Sequence, residues 1–490
     1  MRILFVTPEA FPLIKTGGLA DVSGALPASL RRLGHDIRIL IPGYPTVLKK
    51  IINSSFLCTL YNIPSIEAVN IIIGEMPDTG VPVMAIQSDL LYDRPSGPYG
   101  DENGKDWDDN AIRFGILSFV AARLSREDSP MKDWIPDLVH CNDWQTGLVP
   151  AYLHFMRHDH PKIKQAKSLF SIHNMVFQGC YVPQWLGPLN LPAKSFQIEG
   201  LEYYGQLSFL KAGIFYADGL STVSPTYGKE IQTKEYGFGL QELLTKRSEE
   251  IHGILNGFDT KEWNPATDKY IEYHYNDKKM AGKAKVKNAL LAKLGLSIHA
   301  KTPLLGVISR LTHQKGLDML LECAETLIEH HHCQLAILGS GEKSFEQSFQ
   351  NLAKKFPEQV STNIEYNEEL SHKIMAGSDI FIMPSRFEPC GLNQMYGLRY
   401  GTPPVVSNTG GLADSVVDSN EVTIGNDTAT GFVMPEINTY QLLAATSRAI
   451  NSFHDEITWK KIQTNGMRQN LDWSNSAQRY INIYEEISKK

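Results

Sequence analysis

Short apolar runs alternate along this chain with longer segments in which apolar positions recur every three or four residues. Runs bounded by Gly, Pro, Asn or Asp predict β-strands. In the first half these strands are Ile3–Val6, Ile37–Ile41, Val81–Ile86, Leu138–His140, Leu169–Ile172 and Leu220–Val223. Segment Leu19–Leu33 places five apolar side chains on one helical face. This alternation is typical of parallel sheets covered by helices.

The pattern changes at Ile254–Trp263, where GILNGFDTKEWNP is typical of a connector. The Lys-rich segment Lys278–Lys293 predicts a solvated helix, and Trp473–Ile487 predicts an amphipathic terminal helix. Between them a second series of strands is predicted at Leu304–Ile308, Leu335–Leu338, Ile380–Met383 and Pro404–Val406. We therefore expect domains at residues 1–253 and 254–470, with residues 471–490 packing back on the first domain.

The predicted fold class is α/β, with two doubly wound, Rossmann-like domains facing a cleft. Ligands of such sheets bind at the carboxyl ends of the strands. The loops that follow predicted strands are therefore the places to look for functional residues.

Composition narrows the possible partners. The 490 residues carry 47 Lys and Arg against 54 Asp and Glu, a net charge of −7. This balance argues against nucleic acid or an anionic membrane as the main partner. The N-terminus shows no secretory signal pattern, and the six cysteines are scattered without a CxxC. We expect a cytoplasmic protein with no metal site and no disulfides.

Cations and glycines follow two of the predicted strands. Lys15 stands just before Gly17 and Gly18, at the start of the first helix. Arg310 and Lys315 share the loop after Leu304–Ile308. Free N–H groups at a helix start and two cations on one loop would suit a diphosphate. A capped helix with a surface lysine, and solvated loop cations, are the alternative interpretations.

Other polar residues follow further strands. Glu388 precedes a helix start at Cys390, where it either caps the helix dipole or accepts hydrogen bonds from sugar hydroxyls. Cys390 is a nucleophile or, more simply, a small packing residue. His173 has a structural or a catalytic role, and Asp143 is first of all a plausible N-cap. A DxD pattern at residues 106–109 lies in a loop, and we expect no metal there.

Several motifs together resemble one family. They are KTGGLADV, HCNDWQTGL, SIHN, STVSPTY, GILNG, SRLTHQKGLD and SRFEPCGL followed by TGGLAD. Their order and spacing are similar to those of bacterial glycogen synthases and plant starch synthases, from Met1 to about the last twenty residues. The resemblance implies a GT-B fold and retaining glucosyl transfer from ADP-glucose to an α-1,4-glucan such as glycogen, without a metal or other cofactor.

The resemblance also implies residue roles. His173, Arg310, Lys315 and Glu388 would form the catalytic group, with His173 against the transferred glucose. The donor would be contacted by Lys15, Gly18, Asp21, Asp143, Asn174, Asn256, Cys390, Gly391, Leu392 and Asn393. Glu9 and Tyr99 would lie on the acceptor side, where an aromatic surface is expected. Further aromatic candidates for stacking on glucose rings, or for the core, are Tyr92, Trp107, Trp144 and Tyr203.

The chain departs from the family pattern at three places. Asn393 replaces a usual Thr, Met175-Val176-Phe177 follows SIHN, and Ser407-Asn408 stands where bacterial members carry basic residues. The last departure bears on the choice of donor.

Three alternatives remain on sequence grounds. One is another retaining GT-B transferase that uses a UDP- or GDP-sugar and a small acceptor. A second is a catalytically silent glucan-binding protein. A third is a phosphorylase, which would need pyridoxal phosphate.

Overall fold

The computed structural model describes residues 1–489, which form two compact units. Unit 1 comprises Met1–Gly257 and the C-terminal segment from Trp473, and unit 2 comprises Phe258–Asp472. The chain therefore passes from unit 1 to unit 2 and back again.

Unit 1 is built on a nine-stranded sheet with the strand order β12-β11-β7-β6-β1-β2-β5-β4-β3. All neighbours from β12 to β5 are parallel, and β4 and β3 are antiparallel. The sheet strands are β1 Arg2–Val6, β2 Asp36–Pro42, β3 Ile52–Ile63, β4 Ile66–Glu75, β5 Pro82–Gln87, β6 Leu138–Asn142, β7 Lys167–Ile172, β11 Gly219–Thr222 and β12 Ile251–Gly253. A small antiparallel sheet contains β8 Cys180–Tyr181, β9 Glu202–Tyr203 and β10 Gln206–Ser208.

Helices cover the sheet of unit 1. Their bounds are α1 Gly18–Arg32, α2 Pro45–Lys50, α3 Asp89–Tyr92, α4 Asn110–Leu124, α5 Leu148–Asp159, α6 Phe209–Tyr216, α7 Pro225–Glu230 and α8 Gln241–Lys246. Because β1 lies between β2 and β6, the strand order reverses there. This reversal opens a crevice at the carboxyl ends of β1 and β6.

Unit 2 has a six-stranded, all-parallel sheet with the strand order β15-β14-β13-β16-β17-β18. Its strands are β13 Leu304–Ile308, β14 Gln334–Leu338, β15 Val360–Asn363, β16 Ile380–Met383, β17 Pro404–Ser407 and β18 Phe432–Met434. Its helices are α9 Ala281–Leu294, α10 Leu317–His331, α11 Lys343–Lys355, α12 Glu368–Gly377, α13 Asn393–Arg399, α14 Gly410–Ser415, α15 Glu421–Gly425, α16 Thr439–His454 and α17 Glu456–Arg468. This is the Rossmann strand order, with the switch point between β13 and β16.

The last helix, α18 (Trp473–Lys489), packs within unit 1 on α1 and β7. A buried series of hydrogen-bonded side chains holds this helix in place. Tyr484 lies 2.8 Å from His140 Nδ1, His140 Nε2 lies 2.6 Å from Ser171, and Ser171 reaches Ser221. Burial lowers the pKa of His140 to about 3, so the ring is neutral and each nitrogen serves one hydrogen bond.

The structure confirms the predicted α/β class and all ten predicted strands, within two residues at each end. The β3–β4 hairpin was not predicted. The expectation of a solvated helix in the Lys-rich segment is wrong in part, because Lys283 and Lys287 of α9 are only 6% and 5% exposed. Lys283 Nζ donates to the carbonyl groups of Ala376 and Tyr400, and it thereby caps the ends of α12 and α13.

Candidate active site

In unit 1 the loop after β1 holds Glu9, which is 3% exposed, by several hydrogen bonds. Its carboxylate accepts from the backbone N–H groups of Thr16 at 2.6 Å and Gly17 at 3.3 Å, and from the Tyr99 hydroxyl at 2.8 Å. The structure thus brings together the two residues predicted for the acceptor side. Both are fixed before any ligand arrives.

Lys15 lies on the same loop but is more exposed than Glu9. Its ammonium forms a 2.8 Å ion pair with Asp21 of α1, and the two side chains are 41% and 27% exposed. At Gly17 and Gly18 a Cβ atom would meet nothing within 4 Å, so the start of α1 faces open space. A ligand can therefore approach the backbone closely there, beside a cation.

Asp143 follows β6 and occupies the most unusual position in unit 1. Its φ of 62° lies in the left-handed region, which a residue other than Gly rarely adopts. The side chain is 6% exposed, and Oδ1 has no hydrogen-bond partner within residues 1–489. Burial raises the pKa of this carboxyl to about 7, although the nearby backbone amides of Trp144, His173 and Asn174 oppose the shift.

His173 follows β7 at the neighbouring position. Its Nε2 lies 3.0 Å from Asn142 Oδ1, and Asn142 uses its own amide NH₂ on the Val6 carbonyl. The His173 Nε2 must therefore carry the proton and donate it. Burial lowers the pKa of His173 to about 4, so the ring is neutral near pH 7 and its Nδ1 is an acceptor.

Two further predicted residues lie in unit 1. The Asn174 side chain accepts from the Val176 backbone at 3.1 Å, which closes a local turn. Asn256 follows β12 and is 6% exposed, and its Oδ1 has no partner in the described part of the chain. Sequence reasoning placed Asn256 by resemblance alone, and burial without a partner is a second, physical reason to consider it.

In unit 2 the predicted residues lie on both sides of the switch point. Lys315 ends a short 3₁₀ turn after β13, and its ammonium is 2.5 Å from the Glu388 carboxylate, which follows β16. Ser385 donates to the same oxygen at 3.0 Å. Arg310 is exposed. Its guanidinium makes one long hydrogen bond, of 3.5 Å, to the side-chain oxygen of Gln314, so its charge is available to a ligand.

Glycines let the loops of unit 2 approach one another at backbone distance. A Cβ atom at Gly316 would lie 2.0 Å from the Pro384 carbonyl oxygen. At Gly410 it would lie 2.0 Å from the backbone carbonyl oxygen of Glu388, and at Gly411 it would lie 2.1 Å from the backbone carbonyl oxygen of Cys390. Larger residues would separate the loops after β13, β16 and β17, so these glycines set the geometry around Glu388.

The start of α13 shows how Asn393 fits the position where the family usually has Thr. Its side-chain NH₂ donates to the Ile308 carbonyl at the end of β13, at 2.8 Å. Cys390 is 7% exposed, Gly391 has a φ of 70°, and Leu392 immediately precedes the helix. This segment therefore joins the two strands at the switch point.

One ion pair at this site was not predicted. The Arg386 guanidinium binds both oxygens of Asp318, at 2.7 and 2.6 Å, and also donates to the His313 carbonyl. The Arg386 side chain lowers the pKa of Asp318. The bond ties the Lys315 loop to the Glu388 loop. The sequence does show the opposite charges, Asp318 in KGLD and Arg386 in SRFE. Because 68 residues separate them, the sequence alone did not predict their contact.

The remaining candidates lie in the core or in loops. Tyr92 is fully buried and donates to the Arg113 carbonyl, and Trp144 packs edge-on against Phe114. Tyr203 packs against Tyr204. In the DxD loop Asp109 pairs with Arg94 at 2.5 Å. Throughout residues 1–489 we find no group of three or more His, Cys, Asp or Glu side chains placed to hold a metal ion.

The chain is similar to known proteins over its whole length. The starch synthase catalytic domain model matches residues 2–246, and the model for glycosyl transferases group 1 matches residues 295–462. Glycogen synthases of Nitrosomonas eutropha and Dechloromonas aromatica are each 48% identical, over 100% and 99% of this chain and 97% and 98% of their own. The solved catalytic domain of Arabidopsis thaliana starch synthase IV, bound to ADP and acarbose, is 31% identical with a TM-score of 0.87, covering 100% of this chain and 99% of that one.

The fold and these matches define a glycosyltransferase with two Rossmann-like units, the GT-B class. More specifically, the chain belongs to the glycogen synthase and starch synthase family. None of the helices described in residues 1–489 has the length and apolar character needed to cross a membrane.

Proposed function

We propose that this protein transfers glucose from ADP-glucose to the non-reducing end of an α-1,4-glucan, with retention at the anomeric carbon. The observation that carries the proposal is the Lys315–Glu388 pair at the switch point of unit 2, with the exposed Arg310 on the same loop as Lys315. Full-length similarity to glycogen synthases supports it, and so does the ADP in the related starch synthase structure.

The role of unit 2 follows from where charge develops. When the bond between C1 of glucose and the phosphate oxygen breaks, the leaving diphosphate gains negative charge. Arg310 and Lys315 would receive this charge as fixed cations. In the free protein the Lys315 ammonium is paired with the Glu388 carboxylate. We therefore expect a phosphate oxygen of the donor to replace the Glu388 oxygen in that pair. Glu388 would then be free to accept hydrogen bonds from donor hydroxyls.

The role of unit 1 follows from the neutral ring of His173. His173 carries no charge near pH 7, so it does not repel the positive charge that develops on C1. We propose that the glucan 4-hydroxyl attacks C1 on the face that the diphosphate leaves. The O4–C1 bond forms, the C1–O bond of the phosphate breaks, and the hydroxyl proton passes to the departing phosphate oxygen. The products are ADP and a glucan longer by one residue.

Two residues after β17 bear on the choice of donor. Ser407 and Asn408 stand where bacterial relatives are expected to have basic residues, and the buried Ser407 hydroxyl has no partner in residues 1–489. A UDP-sugar is therefore the second candidate donor. The cytoplasmic location, the absence of a cofactor and the absence of a nucleic-acid partner stay predictions.

The test is transfer of radiolabelled glucose from ADP-glucose or UDP-glucose, with and without glycogen. We expect label in glycogen from ADP-glucose, and none when glycogen is omitted. Equal transfer from UDP-glucose would revise the donor, and transfer to a small acceptor alone would refute the glucan assignment. A colourless preparation that is active without pyridoxal phosphate would dismiss the phosphorylase alternative.

A further inference from the structure

Unit 2 contains a cavity of about 580 Å³ at the carboxyl ends of the neighbouring strands β17 and β18, at one edge of its sheet. A pocket of this size accommodates a small organic molecule. Its wall includes Asn408, Ala413, Asp418, Gln441, Ala444 and Arg448. It does not include Lys315 or Glu388, and only Asn408 of its wall is also a position that bears on donor choice.

The charges in this cavity are already used. Both terminal nitrogens of Arg448 bind the Asp418 carboxylate, at 2.9 and 3.2 Å. The same nitrogens also donate to the carbonyl groups of Ser419 and Val433. An anion would have to break these bonds, so the cavity favours an uncharged ligand.

The polar groups left over are two amides. The side chains of Asn408 and Gln441 have no hydrogen-bond partner in the described part of the chain. An amide both donates and accepts, which matches a hydroxyl group that does the same. The other lining groups are the small apolar side chains of Ala, Val and Pro, against which the C–H face of a sugar ring packs.

A short helix connects the cavity to Glu388. Ala413 of α14 lines the cavity, whereas Gly410 and Gly411 of α14 meet the backbone of Glu388 and Cys390 at distances that leave no room for a Cβ atom. Because this packing is backbone against backbone, a ligand that shifts or fixes α14 must act on the Glu388 segment as well.

We propose that this cavity is a second carbohydrate site, which binds a neutral glucosyl unit and acts on Glu388 through α14. The binding part is independent of the proposed function. The action on Glu388 rests on it.

Binding is tested by hydrogen exchange of the full chain with glucose, maltotriose or inorganic phosphate. We expect maltotriose, or glucose if a free sugar is the ligand, to slow exchange in residues 413–418 and 441–448. Gln441→Ala should weaken this effect about fivefold, as one hydrogen bond predicts, and Ala444→Phe should abolish it by filling the space. On the solvent side of α16, Asn451→Ala and Asn451→Phe are the matched controls and should leave it unchanged.

Several results would overturn the proposal. These are no protection by either sugar, equal protection in Ala444→Phe, or protection by phosphate instead of sugar. Coupling is read separately from the KM for the nucleotide sugar, measured with saturating glycogen as acceptor and increasing glucose. We expect KM to change in the wild type but not in Ala444→Phe. Sugar-dependent protection without glucosyl transfer activity would keep the binding site and refute the proposed function.

Discussion

The two clusters of candidate residues are built on opposite principles. In unit 1, Glu9 and Asp143 are buried and His173 is half-buried, and hydrogen bonds or backbone geometry hold them in place. In unit 2, Arg310 is exposed and Lys315 is held by an ion pair with Glu388. The first arrangement suits a neutral sugar with many hydroxyls, and the second suits a diphosphate.

The two units also differ in what fixes their geometry. The loops of unit 2 approach each other through glycines at positions where any side chain would collide, and Arg386 with Asp318 closes the gap between two of them. The loop after β1 in unit 1 is instead organised around one carboxylate, Glu9. Backbone packing therefore limits substitution in unit 2, whereas side-chain hydrogen bonds do so in unit 1.

The largest effect is expected from the charges of unit 2. Lys315→Met and Arg310→Gln should each lower kcat/KM by about 100- to 1,000-fold, the usual cost of losing one donor to a developing anion. Steady-state transfer of labelled glucose measures this. The control is Lys343→Met. Lys343 is exposed and pairs with Glu346 in the wild type, and the variant should retain full activity. Near-normal turnover in both folded site variants would contradict the assignment of charge stabilisation to unit 2.

The next effect concerns burial in unit 1 and depends on pH. The raised pKa of Asp143 means that the folded protein holds its proton more tightly than the unfolded chain does. The free energy of unfolding should therefore fall as pH rises from about 4 to about 7, by at most about 1.4 kcal/mol per pH unit. Asp143→Asn should remove this component.

Urea denaturation of wild type and Asp143→Asn between pH 5 and pH 8 isolates the contribution of that residue. The difference in unfolding free energy should grow in favour of the Asn variant as pH rises. Asp133→Asn, which makes the same change at an exposed position, is the matched control. A flat difference for Asp143→Asn would mean that the carboxyl is ionised and well solvated across this range.

Gly411→Ala tests the backbone packing of unit 2. The new methyl group would lie 2.1 Å from the backbone carbonyl oxygen of Cys390. We therefore expect the free energy of unfolding to fall by about 1–3 kcal/mol and the KM for the donor to rise. Gly425→Ala, where a Cβ atom meets nothing within 4 Å, is the matched control. Thermal unfolding and donor kinetics of both variants decide the point, and equal behaviour would show that α14 can move freely.

The smallest effect is expected at Tyr99. Tyr99→Phe removes one hydrogen bond to Glu9 but leaves those from Thr16 and Gly17. We therefore expect the free energy of unfolding to fall by about 1 kcal/mol. A rise in KM for glycogen, without a change in KM for the donor, would place Glu9 on the acceptor side. Tyr61→Phe, which alters a side chain that is 62% exposed, should change neither constant.

Most of the fold followed from hydrophobic patterning because the parallel strands are buried on both faces. Strands such as Leu304–Ile308 and Ile380–Met383 are continuous apolar runs that end in polar loops. The β3–β4 hairpin escaped prediction because β3 is largely exposed, with Phe56 and Tyr61 facing solvent, and shows no clean alternation. The burial of Lys283 escaped because its partners are carbonyl groups about a hundred residues away.

The candidate site was predictable only in part, and for a related reason. Cations on glycine-bearing loops after strands can be recognised locally, as at Arg310 and Lys315. The pKa of Asp143, the unpartnered oxygen of Asn256 and the Arg386–Asp318 bond depend on burial and on distant neighbours. The roles assigned to the site residues stay predictions until the variants above are measured.

The return of the chain to unit 1 affects how the protein is made. On the ribosome, residues 258–472 emerge before the helix that covers β7 and shields His140. A nascent chain can therefore complete its second half while the first still exposes an apolar strip to chaperones or to other nascent chains. Maturation of the earlier half is thus coupled to translation of the final helix, and ribosome stalling downstream of Asp472 would leave that half unfinished.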